Sequence, residues 1–216
     1  PGVAQPMALL DRFARTTPPL VLYGERVRLR LPQAGDWAEW AQLRAESRDF
    51  LTPWEPTWPS DALTRAAFRR RLRRHMREAR EDCAYAFLIF RQADDVLLGG
   101  LTLSNIRRGV TQSCSVGYWI GKRHARQGYM RDALKVVIAY VFDDMRLHRL
   151  EAACVPSHEP SRNLLRSVGV NEEGLAREYL CIDGVWRDHV LHAMLSTDRR
   201  RHGVRRRQAW PASPER

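Results

Sequence analysis

The sequence predicts an α/β domain built on a mostly antiparallel sheet, and three observations lead there. Runs that alternate with period two and runs with helical spacing follow one another in the order β-α-α-β-β-β-α-β-α-β-β. The strand-like run Val116-Gly117-Tyr118-Trp119-Ile120 passes through a short basic glycine turn into a helix-patterned run starting near Arg131. Asp183-Gly184 stands between two strand runs, a pairing that favours a tight hairpin.

Taken in order, residues 1–24 are expected to form an N-terminal arm, ending near Pro18-Pro19. Val27 to Leu31 alternates as a strand. Asp36 is placed to cap the next helix, with Trp37, Trp40 and Ala41 on one face. Phe50 to Pro59 contains three prolines, which forbid helix interior and sheet, so a loop is expected. Its aromatic residues either plug the core or line a groove. Ser60 is expected to cap a helix over 61–80, with Leu63, Ala67, Leu72, Met76 and Ala79 as its apolar stripe. Strands are predicted over Ala84 to Phe90, Val96 to Leu103 and Ser113 to Ile120. Met130, Ala133, Leu134, Val137, Ile138 and Val141 repeat at helical spacing, ending near Met145. A strand from Arg149 to Val155, a helix from Pro160 to Val168, and strands from Leu175 to Ile182 and Val185 to Leu195 complete the domain over 25–196. Residues 197–216 read as a disordered basic tail.

At 216 residues the chain suits one core. No apolar run approaches the roughly 20 residues of a membrane span, and no signal peptide is expected: Met7 to Leu10 is too short, and Asp11-Arg12 interrupts it. Cys83, Cys114, Cys154 and Cys181 form no C-x-x-C pair, so buried free thiols in a reducing cytoplasm are expected. No metal is expected. The net charge is +11, unevenly placed. Residues 61–82 hold eight arginines against four acids, and residues 198–216 seven against two. Guanidinium groups suit phosphate, so helix 61–80 and tail 198–216 are either solvated faces or contacts for an RNA-rich partner.

The glycine turn spans Arg123 to Arg131. The first amides of a helix lack intrahelical acceptors and sit at the positive end of its dipole. A pyrophosphate fits there, and Gly128 lets it approach. Arg123, Arg126 and Arg131 add charge. The other reading is an ordinary strand-to-helix turn.

Ala125-Arg126-Gln127-Gly128-Tyr129-Met130 resembles the acyl-CoA pyrophosphate motif Q/R-x-x-G-x-G/A of the GNAT N-acetyltransferase family, departing at Ala125 and Met130. Three further runs resemble its RimJ/RimL branch: Phe50 to Pro56 (F-L-x-P-W-x-P), Leu164 to Val170 (L-L-x-x-L-G-F), and Tyr179 to Leu191 (Y-x-x-x-D-G-x-W-R-D-H). The resemblance covers about residues 25–196. It implies a central sheet of about seven strands, splayed in the middle, with helices on both faces.

It also implies acetyl transfer to an amine, with acetyl-CoA as co-substrate. Arg123, Arg126, Gln127, Gly128, Tyr129, Met130 and Arg131 would hold the pyrophosphate. Tyr118, Trp119 and Ile120 would offer backbone to the pantetheine, where their strand splays from Arg149 to Val155; core packing is the other reading for the two aromatics. His158 stands where relatives often carry a cofactor-binding asparagine. Ser161 is placed to protonate the leaving thiolate, or simply caps its helix. Relatives often have a glutamate where this chain has Ser115, so Glu178, then Glu55, is the expected base; a surface carboxylate is the other reading of each. The acceptor would enter beside Trp54, Glu55 and Trp58. Direct transfer in a ternary complex is expected, because no activated nucleophile motif is present.

Within the branch the resemblance is to the RimJ type, which acetylates the N-terminal alanine of a ribosomal protein. That makes a ribosomal protein N-terminus or the ribosome the expected partner. Two other readings stand beside it: a small-amine acetyltransferase acting on an antibiotic or polyamine, and a non-enzymatic RNA- or ribosome-binding protein on the same fold.

Overall fold

The computed structural model describes residues 20–201. An eight-stranded sheet runs through it in the order β1-β2-β3-β4-β5-β6-β8-β7. The strands are β1 (Val21–Tyr23), β2 (Val27–Arg30), β3 (Tyr85–Arg91), β4 (Leu97–Arg107), β5 (Ser113–Ile120), β6 (Arg149–Cys154), β7 (Asn171–Ile182) and β8 (Val185–Leu195). Every neighbouring pair is antiparallel except β5 and β6. The eighth strand, absent from the expectation, is β1. Only three residues long, it carries too little alternation to stand out, and it draws the end of the expected arm into the sheet edge.

Alternation along the strands feeds two cores. On one face Phe87, Ile89, Leu101, Leu103 and Val116 pack against α4 (Tyr129–Ala139) and Leu165 of α5 (Glu159–Ser167). On the other, Leu88, Phe90 and Leu97 pack against Trp40 and Leu43 of α1 (Trp37–Glu46) and Phe68 of α3 (Arg65–Arg80). Trp40 and Phe68 meet at 5.1 Å between ring centroids. Burying side chains of this size is worth roughly 1.5–3 kcal/mol each.

Several local expectations are corrected. Asp36 does not cap α1 with its side chain. Its carboxylate takes Arg30 in a two-pronged pair (2.6 and 2.8 Å) and the Gln33 N–H (2.6 Å). The segment expected as loop starts inside a short helix, α2 (Arg48–Leu51), followed by a 3-10 turn over Thr52–Trp54 with Pro53 in its first turn, where no N–H is needed. Helix α3 is capped by Thr64, whose hydroxyl accepts the Ala67 N–H at 3.2 Å, rather than by Ser60. Phe68 is its buried anchor, and Met76, assigned to the apolar stripe, is 52% exposed. Of the four cysteines only Cys114 and Cys154 are buried; Cys83 and Cys181 are exposed.

The hairpin prediction stands: Asp183 (φ +45°) and Gly184 (φ +78°) make the β7–β8 turn. Helix α6 (Ser196–Arg201) occupies the start of the expected disordered tail. The remainder, 202–216, lies outside the described residues, as do residues 1–19 of the arm.

Candidate active site

β5 and β6 pair in parallel only from Ser113, Cys114 and Ser115 to Arg149, Leu150 and Glu151. β5 runs on to Ile120 still paired with β4, and β6 runs on to Cys154 paired with β8. The two therefore splay beyond Ser115, leaving that edge of Val116 to Ile120 without a strand partner.

The β5–α4 connection is the glycine turn. A 3-10 turn over Lys122–His124 leads to Arg126 (φ +60°) and Gly128 (φ +83°), and α4 starts at Tyr129. An L side chain at 128 would be strained. The first α4 hydrogen bond runs from the Asp132 N–H to the Gly128 carbonyl (3.1 Å), so the amides of Tyr129, Met130 and Arg131 have no intrahelical acceptor. The Tyr129 and Met130 side chains are buried in the core, which leaves their backbone as the part offered to a ligand.

The charges sort differently from the sequence expectation. Arg123 pairs with Glu46 (3.2 Å) and donates to the His124 ring (3.1 Å), and Arg131 reaches the Ser167 carbonyl (3.4 Å). Gln127 turns back on the Arg123 carbonyl (2.8 Å), and Arg126 is exposed. A cation the sequence reading missed stands closer to the turn. Arg26 donates to the Gln127 carbonyl (2.9 Å), lies over the Tyr129 ring (4.3 Å), and sits 3.8 Å from where a Cβ on Gly128 would be. Asp132 fixes that stretch by accepting the backbone N–H groups of Glu25 (3.1 Å) and Arg26 (2.7 Å). Arg91 approaches the Tyr129 hydroxyl at 3.4 Å, and this bond, with Arg26, lowers the phenol's pKa. Arg26 is 100 residues from the turn, and only the antiparallel sheet brings the two together.

The face of the gap toward α5 holds a buried hydroxyl pair. Ser161, 7% exposed, has its Oγ 2.8 Å from the Tyr118 Oη. The capping reading of Ser161 is set aside by geometry: His158 is the cap residue of α5, the Ser161 N–H bonds the His158 carbonyl (3.0 Å), and the Ser161 side chain points to Tyr118. Burial pushes the Tyr118 phenol well above its ordinary range, so it stays protonated. The His158 ring stacks on Trp54 (3.9 Å, 7° between planes), and burial lowers its pKa, keeping it neutral near pH 7. Burial also pushes the Cys114 thiol up to about 12 and raises that of Cys154. Neither is a thiolate nucleophile at neutral pH.

Trp119 points to the opposite face, so only its backbone faces the gap. Its ring packs near the Arg44 guanidinium (4.8 Å), which also lies over Trp58 (4.2 Å). Arg44 clamps Glu55 with two hydrogen bonds (2.9 and 2.6 Å), and Trp58 Nε1 adds a third to the same carboxylate (2.8 Å). The Glu55 carbonyl accepts the Asp183 N–H at 3.0 Å, tying this loop to the tip of the β7–β8 hairpin. The Glu55 carboxylate, expected as base or substrate contact, thus accepts three hydrogen bonds from its neighbours. Glu178 sits exposed on the β7 arm in a left-handed conformation (φ +46°), its N–H held by Asp188 (2.8 Å). No contact joins it to the Tyr118–Ser161 pair. Among the described residues no group of three or more His, Cys, Asp or Glu side chains is arranged to hold a metal, and no helix is long and apolar enough to cross a membrane.

The sequence and the architecture match known proteins. Residues 26–171 match the family model described as Acetyltransferase (GNAT) domain. The chain is 34% identical over 178 residues to probable N-acetyltransferase YjcK of Bacillus subtilis, covering 82% of this chain and 98% of that protein. It is 33% identical over 186 residues to the ribosomal protein uS5-alanine N-acetyltransferase of Escherichia coli, covering 86% and 96%. Among solved structures, RimJ of Mycobacterium smegmatis in complex with CoA-disulfide superposes with a TM-score of 0.79 at 32% identity, covering 83% of this chain and 89% of that one. With the splayed strands, the left-handed glycine and these matches in hand, the chain belongs to the GNAT acetyltransferase family and is an N-acetyltransferase of the RimJ/RimL type.

Proposed function

We propose that this protein transfers an acetyl group from acetyl-CoA to the α-amine of a protein N-terminus, the N-terminal alanine of a ribosomal protein, within a ternary complex. The observation that carries the reading is the buried Tyr118–Ser161 hydroxyl pair beside the splayed edge of β5. Acetyl-CoA supplies the activated acetyl thioester. The amides of Tyr129, Met130 and Arg131, with Arg26 beside them, hold its pyrophosphate. Backbone N–H groups on the unpaired edge of β5 steady the developing oxyanion. As the C–N bond forms and the thioester C–S bond breaks, the Ser161 hydroxyl donates its proton to the departing thiolate sulfur, the proton released by the attacking amine restores the serine through solvent, and Tyr118 holds that hydroxyl in place.

The amine must be neutral to attack. An α-amine has a pKa near 8, against about 10.4 for a lysine. Loss of its proton to water is sufficient, with Glu178, exposed on the hairpin arm, as the candidate carboxylate. A polycationic acceptor is disfavoured: Arg44 neutralises Glu55, and Arg44 and Arg48 both lie over Trp58 (4.2 and 5.5 Å). The exposed arginine face of α3 is suited to approach a phosphate-rich particle such as the ribosome, and the reading includes a cytoplasmic reaction.

The test is acetyl transfer to two peptides, one with a free N-terminal alanine and one blocked there but carrying a lysine. Transfer to the first alone is expected. Transfer to the blocked peptide would replace the α-amine reading with a side-chain one.

A further inference from the structure

On the α1/α3 face of the sheet lies a cavity of about 60 Å³, lined by Arg71 and His75 of α3, Thr102 and Gly100 of β4, and Trp119 of β5. Its polar lining is rich in donors. Arg71 stacks on Trp40 (5.2 Å) and forms no ion pair or hydrogen bond among the described residues. Trp119 lays its indole N–H edge against Gly100, so close that a Cβ there would be 2.5 Å from Nε1. That indole N–H and the Thr102 hydroxyl have no hydrogen-bond partner among the described residues. His75 meets Glu78 through Nδ1 (3.3 Å), which leaves Nε2 available.

No carboxylate lines this space. The two nearest are occupied, Glu55 by Arg44 and Trp58, and Glu78 by Arg74 and His75. Burial and the neighbouring charges of Arg44 and Arg74 lower the Arg71 pKa, the expected effect of a cation held short of its counter-ion. Arg71 is exposed at the edge of the cavity and forms no ion pair among the described residues, so its guanidinium is open to an arriving anion.

The cavity is also correctly placed. Thr102 pairs with Gly117, and Gly117 faces the same side as Trp119. Nothing lies within 4 Å of a Cβ position at Gly117, so open space lies over that residue, on the same sheet face as Trp119 and one residue from Tyr118. Two strand residues span about 7 Å. An extended peptide whose amine reaches Gly117 covers that distance with its second to fourth residues, at about 3.3–3.6 Å each.

We propose that this cavity is an acceptor subsite for a carboxylate, the side chain of an acidic residue at the second, third or fourth position of the acetylated N-terminus. The proposal rests on the N-terminal-amine reading above. Guanidinium, indole N–H and hydroxyl together supply charge-assisted bonds to two carboxylate oxygens.

The experiment uses N-terminal alanine peptides with Glu or Gln at the second, third or fourth position, and a parallel set already acetylated at the N-terminus. Turnover is measured on the free peptides and binding on the acetylated ones by calorimetry. In the wild-type protein a Glu peptide from at least one position is expected to exceed its Gln counterpart about tenfold in both readouts, the size of one charge-assisted bond. Arg71→Gln is expected to bring that ratio close to one. Arg73→Gln, on the exposed face of the same helix, should leave it unchanged. Equal binding of Glu and Gln peptides at all three positions, or a preference that survives Arg71→Gln, overturns the subsite. If no free peptide is acetylated while the acetylated Glu peptide still binds through Arg71, the subsite stands and the N-terminal-amine reading falls.

Discussion

The Arg44–Glu55 clamp separates a structural carboxylate from a catalytic one. The Arg44 side chain is 10% exposed and that of Glu55 20%. Replacing Arg44 with Met removes two charge-assisted hydrogen bonds and the guanidinium between Trp58 and Trp119. Removing one partner of a buried pair costs about 3–5 kcal/mol. The partial exposure of Glu55, and its remaining bond from Trp58, bring the expected loss to about 3 kcal/mol. Unfolding midpoints in domains of this size move about 2–4 °C per kcal/mol, so Arg44→Met should lower Tm by roughly 6–12 °C. Glu55→Gln keeps an acceptor for one Arg44 prong and should cost roughly 1–2 kcal/mol. The double variant should lose less than the sum, with a coupling of about 1–2 kcal/mol. Thermal melts followed by circular dichroism give the stabilities, and kcat/KM on the alanine peptide is measured in parallel. A Glu55→Gln protein that melts like wild type yet loses a hundredfold or more in kcat, the scale of a lost general base, would refute the clamp and restore Glu55 to catalysis.

Three other perturbations probe the rest of the site. Ser161→Ala should lower kcat about 10²-fold or more with CoA affinity unchanged; Tyr118→Phe should fall between it and wild type, and full turnover in Ser161→Ala would remove the serine as proton donor. Gly128→Glu places a strained, charged side chain beside the first α4 amides and should abolish CoA binding by calorimetry; wild-type affinity would show that the pyrophosphate lies elsewhere. Burial lowers the pKa values of His75, His124, His158 and His192. The unfolded chain therefore binds more protons on acidification, so this contribution to stability is complete above the unfolded value near 6.5 and is lost as pH falls toward the folded values. Urea midpoints should drop between pH 7 and pH 5, with a shallower slope in His158→Phe; a flat or rising midpoint on acidification contradicts the burial argument.

Most of the sheet was legible because its inner strands are short apolar runs bounded by turn residues, such as Tyr85–Arg91, and Ser113–Ile120 and Val185–Leu195 have the bounds the sequence predicts. The failures share a cause. β1 has three residues and takes its place by pairing with β2. Helix α3 fully buries Phe68, which the predicted stripe left out; of that stripe Leu63, Ala67, Leu72 and Ala79 are half-buried and Met76 alone is exposed. The proline-rich loop is partly helical because Pro53 falls where a helical turn needs no N–H.

The site divides along the same line, between what a segment decides alone and what the fold decides. Gly128 was legible because a left-handed residue ahead of a helix is a local requirement. Arg26 was not, because its place beside Gly128 depends on β2 and Asp132. The two glutamates show the limit from the other side. Sequence ranked Glu178 ahead of Glu55 without a packing argument, and only the packing of α1 against the tryptophan loop gives Glu55 an arginine. The same packing uses the carboxylate nearest the α1/α3 face while leaving Arg71 without one. A site that neutralises its own acids and keeps an unpaired guanidinium is arranged for an acceptor that brings negative charge with it, and that is the property that would distinguish an acidic protein N-terminus from a polyamine.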